Sequence, residues 1–187
     1  MRVAVAVLAV VAVVSASGCG STSKPASTKS VSAGTIPPAG KPIEVSSDYK
    51  PGAAIPRAHT CDGPDVSPPL HVTRLPRATK EIIVVMRDPD APGGNFIHWV
   101  IAHIMPANGS LSLRAGATPP GAVLGRNSFG SLGYRGPCPP SGPAHHYVVT
   151  VYALGQPSGL KRGFSADDVT DLPVLTYGIH TGVYARR

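Results

Sequence analysis

No apolar stretch in the 187-residue chain reaches the roughly 20 residues that a membrane-spanning helix needs; Val3 to Val14, an unbroken run of Val, Ala and Leu, falls well short. Aromatic residues are scarce, at 5%. The basic residues behind the formal net charge of +7 are scattered, not gathered into a stripe interleaved with aromatics. Nucleic-acid binding is excluded on that ground, whereas mild attraction to an anionic ligand or membrane surface is not. The chain has no HExxH, no Walker loop and no Gly-x-Ser-x-Gly elbow, the usual sequence signatures of zinc peptidases, nucleotide hydrolases and serine hydrolases. It has no internal repeat and, despite 21 Gly and 21 Pro, no Gly-X-Y period, so collagen is excluded. That wealth of Gly and Pro also argues against a helical bundle, whose interiors exclude both residues.

The N-terminal segment reads as a leader, not as part of a fold. Met1-Arg2 is a short positive start, Val3–Val14 an apolar core, and Ser15-Ala16-Ser17-Gly18 a run of small residues, the order found in secretory signal peptides. Ala16-Ser17-Gly18-Cys19 resembles the bacterial lipobox, in which the Cys is diacylated and becomes the mature N-terminus; Ala16 stands where Leu is more usual. Two or three acyl chains anchor stably where one alone is marginal. Residues 1–18 are therefore expected to be a signal peptide and 19–42 a lipidated Cys with a tether, since 20–42 is Ser/Thr/Pro/Gly-rich and has almost nothing to bury. The expected location is extracytoplasmic, lipid-anchored to a bacterial cell membrane.

From residue 43 onward, apolar runs alternate with Pro/Gly turns, which predicts a mainly β domain over 43–187. The strongest strands are Glu81–Met86, Asn95–Ile104 and His146–Leu154; Leu70–Thr73, Ala122–Leu124 and Thr181–Ala185 are weaker. One short helix is expected from Ser165, an N-cap with Asp168 three residues on, to Leu172 before Pro173. Strict alternation over Asn95–Ile104 puts Phe96, His98, Val100 and Ala102 on one face and Ile97, Trp99, Ile101 and His103 on the other.

Two polar clusters break these strands. One is Asp88-Pro89-Asp90-Ala91-Pro92, followed by His98-Trp99; the other runs from Gly133 through Gly136-Pro137-Cys138-Pro139-Pro140 to His145-His146-Tyr147. Two acids at a strand end, a His in the next strand and a His/Tyr pair after a rigid loop can converge on one pocket. Taken singly, each has a plainer reading: the Asp-Pro pairs as turn starters, the histidines as core residues. His59, His71, His103, His146 and His180 are read as core histidines outright. Cys61 and Cys138 are 77 residues apart, which neither forbids nor demands a bond.

Together, DPDAP…HW and GYRGPCPPSGPAHHY resemble the two signature regions of the phosphatidylethanolamine-binding protein family, in its bacterial Raf-kinase-inhibitor-like branch. HTCDGPDVSPPL at 59–70, RNSFG at 126–130, YVVTVYAL at 147–154 and GVYAR at 182–186 extend the resemblance over 43–187. It implies an antiparallel β-sandwich with a few short peripheral helices. It also implies a small anion pocket formed by Asp88, His98, Gly136, Pro137, His145 and Tyr147, with Asp90 bracing the loop and Trp99 supporting. In that pocket the imidazoles, the Tyr hydroxyl and loop N–H groups would donate to phosphate oxygens. Removing His145 is then expected to leave the unliganded stability unchanged. The resemblance places Cys61 and Cys138 in loops near the pocket, and export permits a disulfide between them. Val72, Arg87 and His103 depart from the family's usual residues without removing a pocket donor.

Three function classes follow. The leading one is a non-catalytic binding module for a small anion or phospholipid headgroup, needing no cofactor and no metal. The second, implied by the resemblance, is an inhibitor of, or interaction protein for, an extracytoplasmic serine-type peptidase. The third, least supported, is a metal-dependent hydrolase using His98, His145 and a carboxylate.

Overall fold

A computed structural model describes residues 41–186. The expected leader, Cys19 and all but the last residues of the tether lie outside them. Two antiparallel sheets make up the domain. The smaller contains β1 (Glu44–Ser46), β2 (Leu70–Thr73) and β5 (Leu111–Leu113), with β2 in the middle. The larger contains β3 (Glu81–Asp88), β4 (Phe96–Ile104), β6 (Val123–Leu124), β7 (His145–Leu154) and β8 (Val174–Tyr184), ordered β6-β4-β3-β7-β8. The fold is mainly β and sandwich-like, as expected.

Alternation along each strand sorts the side chains into two apolar layers. Ile82, Val84 and Met86 of β3 and Tyr147, Val149 and Val151 of β7 pack against Leu70, Val72, Leu111 and Leu113 of the smaller sheet. Ile83 and Val85 point the other way, against Phe164, Val169 and Val174. A strand buried on both faces has no polar position to spare, which is why Glu81–Met86 reads as a continuous apolar run. The packing is close enough to require glycine in β8: a Cβ on Gly182 would sit 2.5 Å from Ile55 and 2.6 Å from Tyr49.

Three expectations are corrected. The helix over 165–172 is only a 3₁₀ turn, Asp167–Val169, although Ser165 and Asp168 do exchange hydrogen bonds as the capping pattern foretold. Of the supposed core histidines, only His59 and His180 are buried. His71 and His146 are exposed, and His103 is half-buried with φ +59°. The third correction concerns β4. Its pairing with β3 slips twice, between Met86/Arg87 and between Ile82/Val84, because β4 carries one extra residue at each place. Met86 pairs with Trp99 and Arg87 with Ile97, so His98 is the residue left over in a bulge. Beyond a bulge the alternation changes phase. Trp99 and Ile101 therefore join the inter-sheet layer, while Ile97, Val100 and Ala102 join the opposite one.

Candidate functional site

Asp88 ends β3, Phe96 and His98 begin β4, and His145 and Tyr147 begin β7; these are the three central strands of the larger sheet. The bulge at His98 lets both His98 and Trp99 face the interior side. His98 packs edge-on against Tyr147, with ring centroids 5.2 Å apart. Asp88, His98 and Tyr147 are almost wholly buried. With Phe96, Phe129 and His145 they line a cavity of about 120 Å³, closed on its remaining sides by Ala91, Pro92 and Cys138-Pro139-Pro140. That is several times the ~30 Å³ a water molecule takes up in the liquid. A larger depression of about 380 Å³ beside Met105 and Asn108 has no ionisable side chain in its lining.

The carboxylates and imidazoles have defined partners. His145 Nδ1 lies 2.8 Å from Asp88 Oδ2, and the Asp90 N–H donates to Asp88 Oδ1 at 2.9 Å. Outside this pair is a second one: Asp90 Oδ2 accepts from both the backbone N–H and the Nδ1 of His146, each at 2.7 Å. Those bonds hold the Asp90 carboxyl below the usual carboxylate range and tie the 88–95 turn to the start of β7. Asp90 thus braces the turn. His98 Nδ1 donates to Arg135 O at 2.7 Å and Gly136 O at 3.1 Å, and Arg135 N–H returns a bond to His98 O. Burial pushes the His98 pKa down, more than these bonds and the Asp88 charge push it up. Burial first, then the Asp88 charge, raises the Tyr147 pKa. The Tyr147 hydroxyl is buried close to Asp88, whose carboxylate helps raise its pKa, but makes no hydrogen bond of good geometry within the protein.

Gly136 and Pro137 stand behind the wall and are not among its lining residues. The Gly136 N–H donates to Asp65 Oδ1 at 2.6 Å, so it is not offered to the cavity. Cys61 and Cys138 form a disulfide, with Cα atoms 5.4 Å apart, and it fastens the Pro-rich wall to the 57–66 segment. Trp99 lies beneath, edge-on to Tyr134 at 5.7 Å, and does not line the cavity. The expectation that His145 can be removed at no cost to stability does not survive: its loss would leave a buried carboxylate, Asp88, without its partner.

Three contributors were not singled out from sequence. Phe129 packs edge-on against Phe96 at 4.8 Å and His98 at 5.4 Å. It is presented by a turn in which Asn127 Oδ1 accepts from the N–H groups of Phe129 and Ser131. Asp65 holds Gly136 and also pairs with Arg135 Nε at 3.0 Å. The Arg135 guanidinium lies 5.3 Å from the Phe129 ring centre. All three sit in family-like segments, RNSFG, HTCDGPDV and GYRGPC, and nothing in those segments alone assigns them a role. Among the described residues, no group of three His, Cys, Asp or Glu side chains is arranged to hold a metal ion.

Comparison with known proteins fits this geometry. The model of the family described as phosphatidylethanolamine-binding protein matches residues 45–175. The chain belongs to that family. A UPF0098 protein of Archaeoglobus fulgidus is 36% identical over 152 residues, which cover 78% of this chain and 52% of that protein, about half its length. A Mycobacterium tuberculosis protein named "Putative lipoprotein LppC" is 42% identical over 126 residues, 66% of this chain and 61% of that one. Among solved structures, E. coli YbcL, described as a member of the mammalian PEBP family, superimposes with a TM-score of 0.71 at 31% identity, over 79% of this chain and all of that one.

Proposed function

We propose that the protein is a non-catalytic binding protein, held outside the cytoplasm by a lipid on Cys19, whose cavity takes a small phosphate-type anion, free or carried on a larger molecule. The observation that carries the reading is the buried Tyr147 hydroxyl in the cavity wall, beside Asp88 and two imidazoles and without a hydrogen bond of good geometry to any of them. A buried hydroxyl without a partner costs about 1–3 kcal/mol, and a ligand oxygen relieves it. The non-catalytic part is supported by the lining residues, which include no Ser, Thr, Lys or free thiol; the one sulfur, on Cys138, is already bonded. Anchoring is supported by the lipobox-like sequence at Ala16–Cys19 and by the relative named as a lipoprotein.

Titration calorimetry with inorganic phosphate on the wild type and His145→Asn tests the anion reading. Asparagine keeps an N–H donor for Asp88 and removes the imidazole Nε2. Phosphate affinity should fall by about 1.5–3 kcal/mol, the range for a hydrogen bond to a charged group, with little change in melting temperature. Equal affinities would overturn the reading.

A further inference from the structure

The cavity lies at one end of the larger sheet, and the far end differs from it in charge and in exposure. Ile104 of β4, Ile82 of β3, Ala153 of β7 and Thr176 of β8 form one row of paired residues across that far end. Met105 follows Ile104 directly and is 67% exposed, the most exposed large apolar side chain among the described residues. It stands at the rim of the depression that has no ionisable side chain in its lining. Lys80 leads into β3, its N–H bonded to Leu154 O at 2.8 Å, and Arg77 sits in the turn closed by the Thr79 N–H and Pro76 O. Lys41 passes Thr176, whose hydroxyl donates to the Lys41 carbonyl at 2.9 Å.

Ion pairing separates the two ends further. At the cavity end Asp62 pairs with Arg186, Asp65 with Arg135, Asp88 with His145 and Asp90 with His146. At the far end Arg74 pairs with Glu44, and Glu81 is buried beneath bonds from Ser158 and the His103 N–H. Lys41, Arg77 and Lys80 are exposed and form no ion pair among the described residues. Asp171, just ahead of β8, is the one exposed, unpaired carboxylate at that end. An exposed apolar side chain among free cations fits the surface of an anionic bilayer. The chain itself brings that surface close. Cys19 and Lys41 are 22 residues apart, so an acylated Cys19 holds this end within about 75 Å of the bilayer even at full stretch. At such a range a weak attraction is enough to seat the domain.

Building on the anchoring reading above, we propose that the far end of the domain lies on the membrane that holds the lipid. Met105 enters the headgroup layer, Lys41, Arg77 and Lys80 meet anionic phospholipid headgroups, and the cavity points away from the bilayer. Six residues of β3 separate Ile82 from Asp88, about 20 Å at ~3.3 Å per residue. The docked protein therefore offers its cavity to dissolved molecules and keeps it out of reach of the lipids on which it sits.

Protection from chemical labels tests the orientation. The purified lipidated protein is added at low salt to preformed vesicles of phosphatidylcholine or of phosphatidylglycerol. It is then pulsed with an amine-acetylating reagent or with hydrogen peroxide, and labelling is read by mass spectrometry. Lys50, next to the Gly52–Thr181 bond in the cavity half, and the buried Met86 are the internal references. Each surface cation contributes about fivefold to binding an anionic bilayer at low salt. On phosphatidylglycerol, acetylation of Lys80 and oxidation of Met105 should therefore slow about tenfold relative to phosphatidylcholine, with Lys50 unchanged. Arg77→Glu, in an exposed turn, should recover most of the lost Met105 oxidation, and so should high salt. Equal labelling of Lys80 and Met105 on the two vesicle types, or protection of Lys50 along with them, overturns the docking. Flotation with phosphatidylcholine vesicles reports the acyl anchor alone. Its failure overturns the anchoring reading, and the labelling on phosphatidylglycerol still decides the docking.

Discussion

Gly136→Ala should damage the cavity wall without touching its lining. A Cβ built on Gly136 lies 2.7 Å from Asp65 Oδ1 and 2.9 Å from Thr60 Cα, and closer still to the His59 carbonyl oxygen. Two of those neighbours are backbone atoms beside the Cys61 disulfide, so they cannot swing aside as a flexible side chain would. The loop must move outward instead. Forcing one methyl into close packing costs about 1–3 kcal/mol. The same shift lengthens the 2.6 Å bond from Gly136 N–H to Asp65, and a bond to a charged group is worth about 1.5–3 kcal/mol. Together they come to about 2.5–6 kcal/mol, or about 5–24 °C in melting temperature for a domain near 150 residues. Gly136 O is also one of the two acceptors holding His98 Nδ1, so phosphate affinity should drop in the folded fraction. Gly93→Ala serves as the control: it lies in the turn on the other side of the cavity, with nothing within 4 Å of its built Cβ. Thermal melts and phosphate titrations on both variants suffice. A Gly136→Ala protein melting within about 2 °C of the wild type would refute the reasoning.

Removing the disulfide by a double Cys61→Ala/Cys138→Ala change should cost about 4–4.5 kcal/mol in urea melts, the chain-entropy value for a 77-residue separation; an unchanged midpoint would contradict it. Acid should destabilise the fold ahead of carboxylate titration. Burial lowers the pKa of both His98 and His180, so below the unfolded value of about 6.5 the unfolded chain binds more protons. That stability is complete above pH 6.5 and is lost as pH falls below it, at up to about 1.4 kcal/mol per pH unit for each ring; calorimetry from pH 7.5 to 5.5 showing a flat melting temperature would count against it. Cys19→Ala should abolish membrane association in fractionated cells, and a variant that still partitions with membranes would remove the lipid anchor from the proposal.

The strands that were legible are those whose side chains do one job. Glu81–Met86 is apolar throughout because both of its faces are buried, and Leu70–Thr73 alternates because only one is. β1 and β5, three residues each, carry too few positions to show a period. The first half of β8 was missed because Gly178 interrupts it, and that glycine is there because Ile43 and Val45 lie against the strand. At the site, residue types pointed to Asp88, His98, His145 and Tyr147, and all four line one cavity. What the sequence hid was phase. A bulge leaves no residue-type signature when both positions are large, so His98-Trp99 looked like ordinary alternation. The pairing of Asp88 with His145, 57 residues apart, was equally invisible, because it depends on β3 and β7 lying side by side.

The two ends of the described segment bear on how the protein can be handled. Thr176, near the start of β8, bonds the Lys41 carbonyl, so the polypeptide joins the sheet at that end. Tyr184, at the other end of β8, pairs with His145 of the cavity, and Arg186 bridges to Ser141. Eight residues of strand separate the two points, about 26 Å at ~3.3 Å per residue. A purification tag or sensor-surface linkage joined directly at residue 41 is therefore attached at the end of β8 away from the cavity. The same attachment after Arg186 sits beside it, and would mimic a binding defect in a protein whose pocket is sound.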